Sequence, residues 1–202
     1  RHIFSAIKEI EPTHVAVCWD MGQETFRNEM YDGYKQNRPA PPDELIPQFD
    51  YVKEISHQFG FVNVGKRNYE ADDIIGSLAE TYSQEHEVYI ITGDRDLLQC
   101  INHNVEVWLI KKGFTIYQRY TLDRFIDEYG LNPQQLIDVK AFMGDTADGY
   151  PGVKGIGEKT AIKLIQNHHS VENVIQNIST LIPAQQKKIN DNINNLHLSK
   201  SL

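Results

Sequence analysis

Tyr69-Glu70-Ala71-Asp72-Asp73, continued by an amphipathic run and then by Val88-Tyr89-Ile90-Ile91-Thr92-Gly93-Asp94-Arg95-Asp96, is the stretch on which the fold turns. Residues 71–82 carry apolar side chains at helical spacing. Residues 88–91 form the short continuous apolar run expected of a buried strand. Three acids open that helix and two more follow that strand. Toward the N-terminus, Val15-Ala16-Val17-Cys18-Trp19 is another apolar strand, closed by Asp20. Residues 45–59 read as a helix and 61–64 as a short strand. Toward the C-terminus, 97–100 read as a short helix and 105–110 as a strand. Lys111-Lys112-Gly113 then turns the chain into a strand at 114–117. Residues 1–10 read as the interior of an amphipathic helix with Ile3, Phe4, Ile7 and Ile10 on one side, so residues upstream of Arg1 are expected. Strands alternating with amphipathic helices imply an α/β fold with a mostly parallel sheet flanked by helices.

From Thr121 onward no strand pattern recurs. Residues 122–129, 133–143, 158–167, 171–178 and 184–196 read as helices, punctuated by Gly130, Pro151, Gly152, Gly155, Gly157 and Pro183. The chain therefore divides into an α/β portion at 1–120, containing a polar and basic segment at 23–42, and a helical portion at 121–202, containing a Gly-rich segment within 144–163.

Composition excludes several classes. No apolar run approaches the ~20 residues of a membrane span, and no signal-peptide pattern opens the chain. The two cysteines, Cys18 and Cys100, have no metal-like spacing, which fits an intracellular protein with reduced, mostly buried thiols. The net charge of −8 comes from 20 basic and 28 acidic residues; with eight clustered carboxylates set aside, 20 face 20. The acidity is thus local and does not argue against a nucleic-acid partner.

Those eight are Asp20, Glu70, Asp72, Asp73, Asp94, Asp96, Asp145 and Asp148, the last two within Gly144-Asp145-Thr146-Ala147-Asp148-Gly149. Parallel sheets place their sites at the carboxyl ends of strands, where the first three groups fall. Each group has a plainer explanation: Glu70, Asp72 and Asp73 complement a helix dipole, Asp94 and Asp96 form a turn and cap, and Asp145 and Asp148 are solvated loop acids. Their joint occurrence at strand ends favours convergence, and converging carboxylates repel unless cations neutralise them. Hard divalent ions with oxygen ligands suit that role. Two such ions ~4 Å apart serve in-line phosphodiester hydrolysis.

Gly152-Val153-Lys154-Gly155-Ile156-Gly157-Glu158-Lys159-Thr160-Ala161 is the second motif. Its glycines permit close backbone approach, and the following helix offers free N–H groups to a phosphate, with Lys154, Lys159 and Lys163 nearby. A plain helix–helix turn is the alternative. The third group, Arg27, Tyr31, Tyr34, Lys35 and Arg38, interleaves cations with rings in the manner of single-strand binding; a solvated basic surface is its alternative. Histidines lack ligand spacing, and there is no phosphate-loop lysine signature, so no nucleotide cofactor is expected.

Taken in order, Val15-Ala16-Val17-Cys18-Trp19-Asp20, Phe26-Arg27, Gly33-Tyr34-Lys35-Gln36-Asn37-Arg38, Tyr69 to Asp73, Thr92 to Leu97 and Gly144 through Ala161 resemble a bacterial or phage 5′-nuclease, that is, a flap endonuclease or the 5′–3′ exonuclease domain of DNA polymerase I type. The resemblance covers nearly the whole chain. It implies a PIN-like core, a helical arch and a helix–three-turn–helix clamp on the duplex. Asp20, Glu70 and Asp72 would hold one Mg²⁺, with Asp72 shared, and Asp94, Asp96, Asp145 and Asp148 a second, with Mn²⁺ able to substitute. Asp73 would support the cluster. Residues 23–42 would be the arch, with Lys35 on the scissile phosphate, Tyr34 stacked on the displaced base, and Arg27 and Arg38 on the DNA. Gly152, Lys154, Gly155, Gly157, Lys159 and Thr160 would clamp the duplex, with K⁺ at the Val153 and Ile156 carbonyls.

Two departures accompany the resemblance. The family opens on a strand ending in Val-Asp-Gly whose Asp belongs to the metal site, and nothing here matches it, so slow cleavage is expected. Where the family reads Ser-Asp-Asn, this chain has Ala147-Asp148-Gly149, which keeps the acid. The expectation is a monomeric, Mg²⁺-dependent nuclease acting at a 5′ single-strand/duplex junction, with Lys35, Asp20 and Asp94 central to catalysis. A junction binder without turnover is the rival, and a ribonuclease of the related small class a more distant one.

Overall fold

The computed structural model describes residues 2–22, 24–111 and 116–202. The elements run α1 (His2–Ile10), β1 (Ala16–Cys18), α2 (Phe26–Met30), α3 (Ile46–Gln58), β2 (Val62–Val64), α4 (Ala71–Tyr82), β3 (Val88–Thr92), β4 (Val105–Ile110), β5 (Tyr117–Tyr120), α5 (Leu122–Tyr129), α6 (Leu136–Met143), α7 (Glu158–His168), α8 (Val171–Gln176), α9 (Pro183–Asp191) and α10 (Ile193–Ser201). Tight 3₁₀ turns stand at Asp96–Cys100, Pro133–Gln135 and Ile178–Thr180.

The strands form two sheets where a single one was expected. β1 pairs with β2 in parallel, with Ala16 opposite Val62. β3 pairs in parallel with β4, and β4 pairs antiparallel with β5, with Val107 opposite Tyr120. Among the described residues no ladder joins β1 to β3; α4 packs on both and ties the sheets together. β4 is the central strand of its sheet. Val105, Val107, Trp108 and Leu109 are all buried, which accounts for a strand that is apolar at every position except Glu106. The strand expected at 114–117 has only its last residue within the described part of β5, since 112–115 lie outside the described residues.

Local chemistry sets the helix ends. The Thr121 hydroxyl accepts the Arg124 N–H at 3.3 Å to start α5, and Gly130, at φ 61°, closes it in the left-handed region. The Ser170 hydroxyl accepts the Asn173 N–H at 3.2 Å to start α8. Asn192 breaks the expected helix at 184–196 into α9, which starts on Pro183, and α10.

The core ignores the sequence boundary at residue 120. It runs from Ile90, Leu98 and Val107 through Tyr120, Phe125 and Phe142 to Ile165, Val174, Ile189 and Leu196. Phe125 and Tyr129 stack at 4.5 Å. α1 and α3 meet through Phe4, Phe59 and Phe61, with Phe4 edge-on to Phe59 at 4.9 Å. No helix among the described residues is long and apolar enough to cross a membrane.

Candidate metal centre and nucleic-acid surface

Asp20 lies two residues beyond β1, and its carboxylate accepts the Ala71 N–H at 2.7 Å in the first turn of α4. Asp73 accepts the Glu70 N–H at 2.9 Å and both ends of the Arg27 guanidinium at 2.8 Å. The helix-start reading given to Glu70, Asp72 and Asp73 thus fits the bonds of Asp73, and Asp20, from outside the helix, adds a bond to the same first turn. Burial opposes ionisation of Asp73, but the Arg27 and Glu70 hydrogen bonds outweigh it and hold the carboxyl below its ordinary range. Glu70 meets the Lys35 ammonium at 2.7 Å and the Tyr34 hydroxyl at 3.3 Å.

Asp72 has no such partner. Burial, and then the charges of Asp94, Glu70 and Asp20, push its carboxyl up to about 6. Those three neighbours come from the ends of β1 and β3 and the start of α4, so three of the sequence groups meet at Asp72.

The fourth group meets the third in a cleft of about 410 Å³ lined by Asp94, Asp96, Asp145 and Asp148 together with Arg38, Arg95 and Lys140. Asp94 accepts the Asp96 N–H at 2.8 Å, which shapes the turn after β3. Asp145 accepts the Ala147 and Asp148 N–H groups at 2.7 and 3.1 Å. Lys140, in the last turn of α6, stands between two of these acids, 3.0 Å from Asp96 and 2.5 Å from Asp145. Burial alone would lower the Lys140 ammonium's affinity for its proton. The Asp145 hydrogen bond and the Asp96 charge reverse that and push it above the ordinary lysine range. Asp96 remains raised, because burial with the Asp94 and Asp145 charges exceeds what Lys140 returns. Asp145 is held low: burial opposes ionisation, and the bonds from Lys140 and the loop N–H groups overcome it.

All eight carboxylates therefore fall around one edge of the protein. Among the described residues, however, no three Asp, Glu, His or Cys side chains gather their donor atoms about a single point. Each acid that has found a cation has turned toward it: Glu70 to Lys35, Asp73 to Arg27, Asp96 and Asp145 to Lys140, and Asp148 to Arg38. The donor set is all oxygen, and ammonium groups already stand between the acids, so hard divalent ions fit the chemistry of this edge. Lys140 was not singled out in the sequence; its position at the end of a helix five residues before Asp145 was the available signal.

The basic segment differs from the expected arch. Within 23–42 only α2 is helical, and Gln23 lies outside the described residues. Residues 33–38 lie down on the 145–149 loop. The Lys35 N–H donates to the Asp148 carbonyl at 2.7 Å, and the Asn37 side chain to the Thr146 carbonyl at 2.6 Å. Tyr34, expected to stack on a displaced base, is only 4% exposed and offers no open face. Arg27, expected on DNA, is occupied by Asp73 and by the Leu202 carbonyl at 2.5 Å. The physical cause is the same in each case: strong negative charge draws the nearest cations and their segment inward.

The Gly-rich segment forms a compact hairpin between α6 and α7. Gly152, at φ 56°, is buried; a Cβ there would lie 2.3 Å from the Gly144 nitrogen, so two backbone strands cross where only glycine fits. Its N–H donates to the buried Ser199 hydroxyl of α10 at 3.1 Å. Gly152 is therefore a packing residue, correcting its expected contact with DNA. Val153 and Ile156 anchor the hairpin in the core, and the Val153 carbonyl accepts the Ile156 N–H at 3.0 Å. Lys188 of α9 donates to the Gly155 carbonyl at 2.9 Å. Lys154, Gly155, Gly157, Lys159 and Lys163 are exposed, and Thr160 is half-buried.

An α/β core edged with carboxylates, joined to a helical portion that presents a lysine-flanked Gly hairpin, has the make-up of a nuclease. The profile described as 5′-3′ exonuclease, N-terminal resolvase-like domain, matches residues 1–130, and that described as 5′-3′ exonuclease, C-terminal SAM fold, matches residues 131–202. A 5′-3′ exonuclease of Bacillus subtilis is 48% identical over the whole chain, which spans 68% of that protein. DNA polymerase I of Lactococcus lactis is 42% identical over 94% of the chain, which spans 22% of the polymerase. Among solved structures, a bacteriophage T5 5′-exonuclease with bound divalent zinc has a TM-score of 0.81 at 24% identity, covering 98% of this chain and 76% of that one. A bacteriophage T5 flap endonuclease complex with DNA and metal ions has a TM-score of 0.82 at 23% identity, covering 98% and 76%. At those identities the likeness establishes the fold. The chain belongs to the 5′–3′ exonuclease family.

Proposed function

We propose that this chain is a divalent-metal-dependent, structure-specific nuclease that hydrolyses DNA phosphodiesters at 5′ flaps or ends in the bacterial cytosol, and that it acts as a monomer. The observation that carries the reading is the crowding of Asp20, Glu70 and Asp94 around Asp72 beside the cleft of Asp94, Asp96, Asp145 and Asp148. Asp20, Glu70 and Asp72 would hold one ion and Asp94, Asp96, Asp145 and Asp148 the other, with Asp72 shared. Mg²⁺ is the expected ion and Mn²⁺ its substitute. Bound there, the ions supply Lewis acidity and an activated water for in-line attack on phosphorus.

The chain's own residues bind and orient the DNA. Arg38, Arg95 and Lys140 line the cleft that a phosphate would enter, and Lys35, now paired with Glu70, would join them there. Tyr34, whose hydroxyl donates to the same Glu70 carboxylate, would have to leave its buried position to meet a base. Asp73 fixes the start of α4 and holds Arg27 in place. The exposed N–H groups and lysines of the hairpin would take duplex phosphates, which carry no sequence information. A K⁺ ion at the Val153 and Ile156 carbonyls belongs to the same proposal.

A labelled 5′-flap duplex incubated with and without Mg²⁺ tests the reading. Mg²⁺-stimulated release of the flap is expected, lost in Asp94→Ala with DNA binding retained in chelator. Cleavage by Asp94→Ala at the parental rate would overturn the ligand assignment. The cations seated on the acids favour a second reading, a junction binder without turnover. Binding with no metal-stimulated product would select it.

A further inference from the structure

A second groove, of about 310 Å³, opens beside Asp20 and shares no lining residue with the acidic cleft. Its wall is Trp19, held at two points: the backbone N–H donates to the Val64 carbonyl at 2.9 Å and the indole N–H to Asn63 Oδ1 at 2.7 Å. Asn63 is itself fixed by its bond to the Phe61 carbonyl at 3.1 Å, so the ring is a rigid platform. Lys53 of α3 holds its ammonium over the face of that ring, 5.9 Å from its centre, on a flexible stem that a base would displace, and His57 stands one turn further along the same helix. Met21 packs over Gly65 at one end of the groove, where a Cβ would lie 2.6 Å from its sulfur. From Gly65 the chain continues into Lys66-Arg67, with the Lys66 ammonium 4.5 Å from the exposed Tyr69 ring.

The state of these cations separates this groove from the cleft. Arg27, Lys35, Arg38 and Lys140 are each neutralised by a carboxylate. Among the described residues, no carboxylate lies within ion-pair distance of Lys53, Lys66 or Arg67. Unneutralised cations beside a fixed aromatic face are the two components of sequence-tolerant single-strand binding, in which phosphates pair with charge and a base stacks on the ring. Bases in a duplex are stacked on one another and offer no free face, and the groove is at the small end of ligand pockets, near the size of one nucleotide.

We propose that this groove binds one nucleotide of single-stranded DNA, with the base on Trp19 and the flanking phosphates on Lys53 and Lys66-Arg67. The proposal rests on the reading of the chain as a DNA-acting nuclease; it adds a hold on the unpaired strand separate from the carboxylates and the hairpin.

Anisotropy titrations of labelled hexathymidylate and of a labelled blunt duplex, both in chelator at low salt, test it. Trp19→Leu and Lys53→Gln are each expected to weaken hexathymidylate binding about tenfold, within the range one stacked base is worth, and to leave duplex affinity unchanged. Trp19→Phe should keep most of the affinity, and hexathymidylate should quench indole emission in the parent but not in Trp19→Leu. Parental hexathymidylate affinity in both variants, or equal loss of single-strand and duplex binding, overturns the site. Should Trp19→Leu fail to fold, Lys53→Gln, a change at a flexible surface side chain, carries the test. Failure of the nuclease reading would appear instead as absent Mg²⁺-stimulated cleavage by the parent, a result independent of these titrations.

Discussion

Replacing Lys140 by methionine keeps the aliphatic stem and removes the charge between Asp96 and Asp145. The ammonium lies 3.0 and 2.5 Å from the two carboxylates, and the Lys140 and Asp145 side chains are 22% and 19% exposed. Breaking a fully buried pair costs roughly 3–5 kcal/mol because the remaining charge is stranded. Here Asp96 is 36% exposed and water screens part of the repulsion, which brings the cost to about 2 kcal/mol. For a chain of this size that is a fall of about 4–8 °C in Tm. Thermal unfolding followed by circular dichroism in EDTA should show that fall in Lys140→Met. In saturating Mg²⁺ the gap should narrow, because a divalent ion would then neutralise the same acids, and binding to one state adds stability by mass action. Removal of a competing cation should also tighten Mg²⁺ binding, read by calorimetry. Parental Tm in EDTA, or weaker Mg²⁺ binding by the variant, would refute the idea that Lys140 occupies the place of a metal ion among these acids.

Gly152→Ala should destabilise the protein by about 3 kcal/mol, from a left-handed φ combined with backbone overlap at Gly144, measurable by urea unfolding. Phe142→Ala, at a fully buried position, should cost about 3–5 kcal/mol in the same assay without moving the metal midpoint. Glu172 is held below the ordinary carboxylate range, chiefly by its hydrogen bonds from Lys200. Its contribution is therefore present above the unfolded-state value and is lost as pH falls through the depressed folded one; Glu172→Gln should flatten the acid limb of a Tm-against-pH curve. Lys154→Gln with Lys159→Gln should weaken duplex binding and reduce its salt dependence by about two contacts, with no change for hexathymidylate.

Much of the scaffold was legible because its signals are local. β4 is apolar at every position except Glu106 because it is the central strand of its sheet, α4 starts where the sequence places its acids, and Gly130 ends α5 because a left-handed residue was needed there. The separation of the strands into two sheets was not legible, since pairing between strands distant in sequence leaves no trace in either strand alone. Asn192 divides α9 from α10 against a helical pattern that runs through it, so tertiary packing prevails over periodicity at that point.

The same division holds at the site. The sequence by itself determined that eight carboxylates sit at element ends and that a Gly hairpin precedes α7, because strand ends and turns are readable from a few neighbouring residues. Only the tertiary structure decided which cation each acid faces. Arg27 reaches Asp73, Lys35 reaches Glu70, and Arg38 reaches Asp148 across 110 positions. It also turned Gly152 into a buried crossing and left Lys53 without a carboxylate partner beside Trp19. The reason is that charge interacts through space: which groups neutralise one another depends on distances that chain order does not contain.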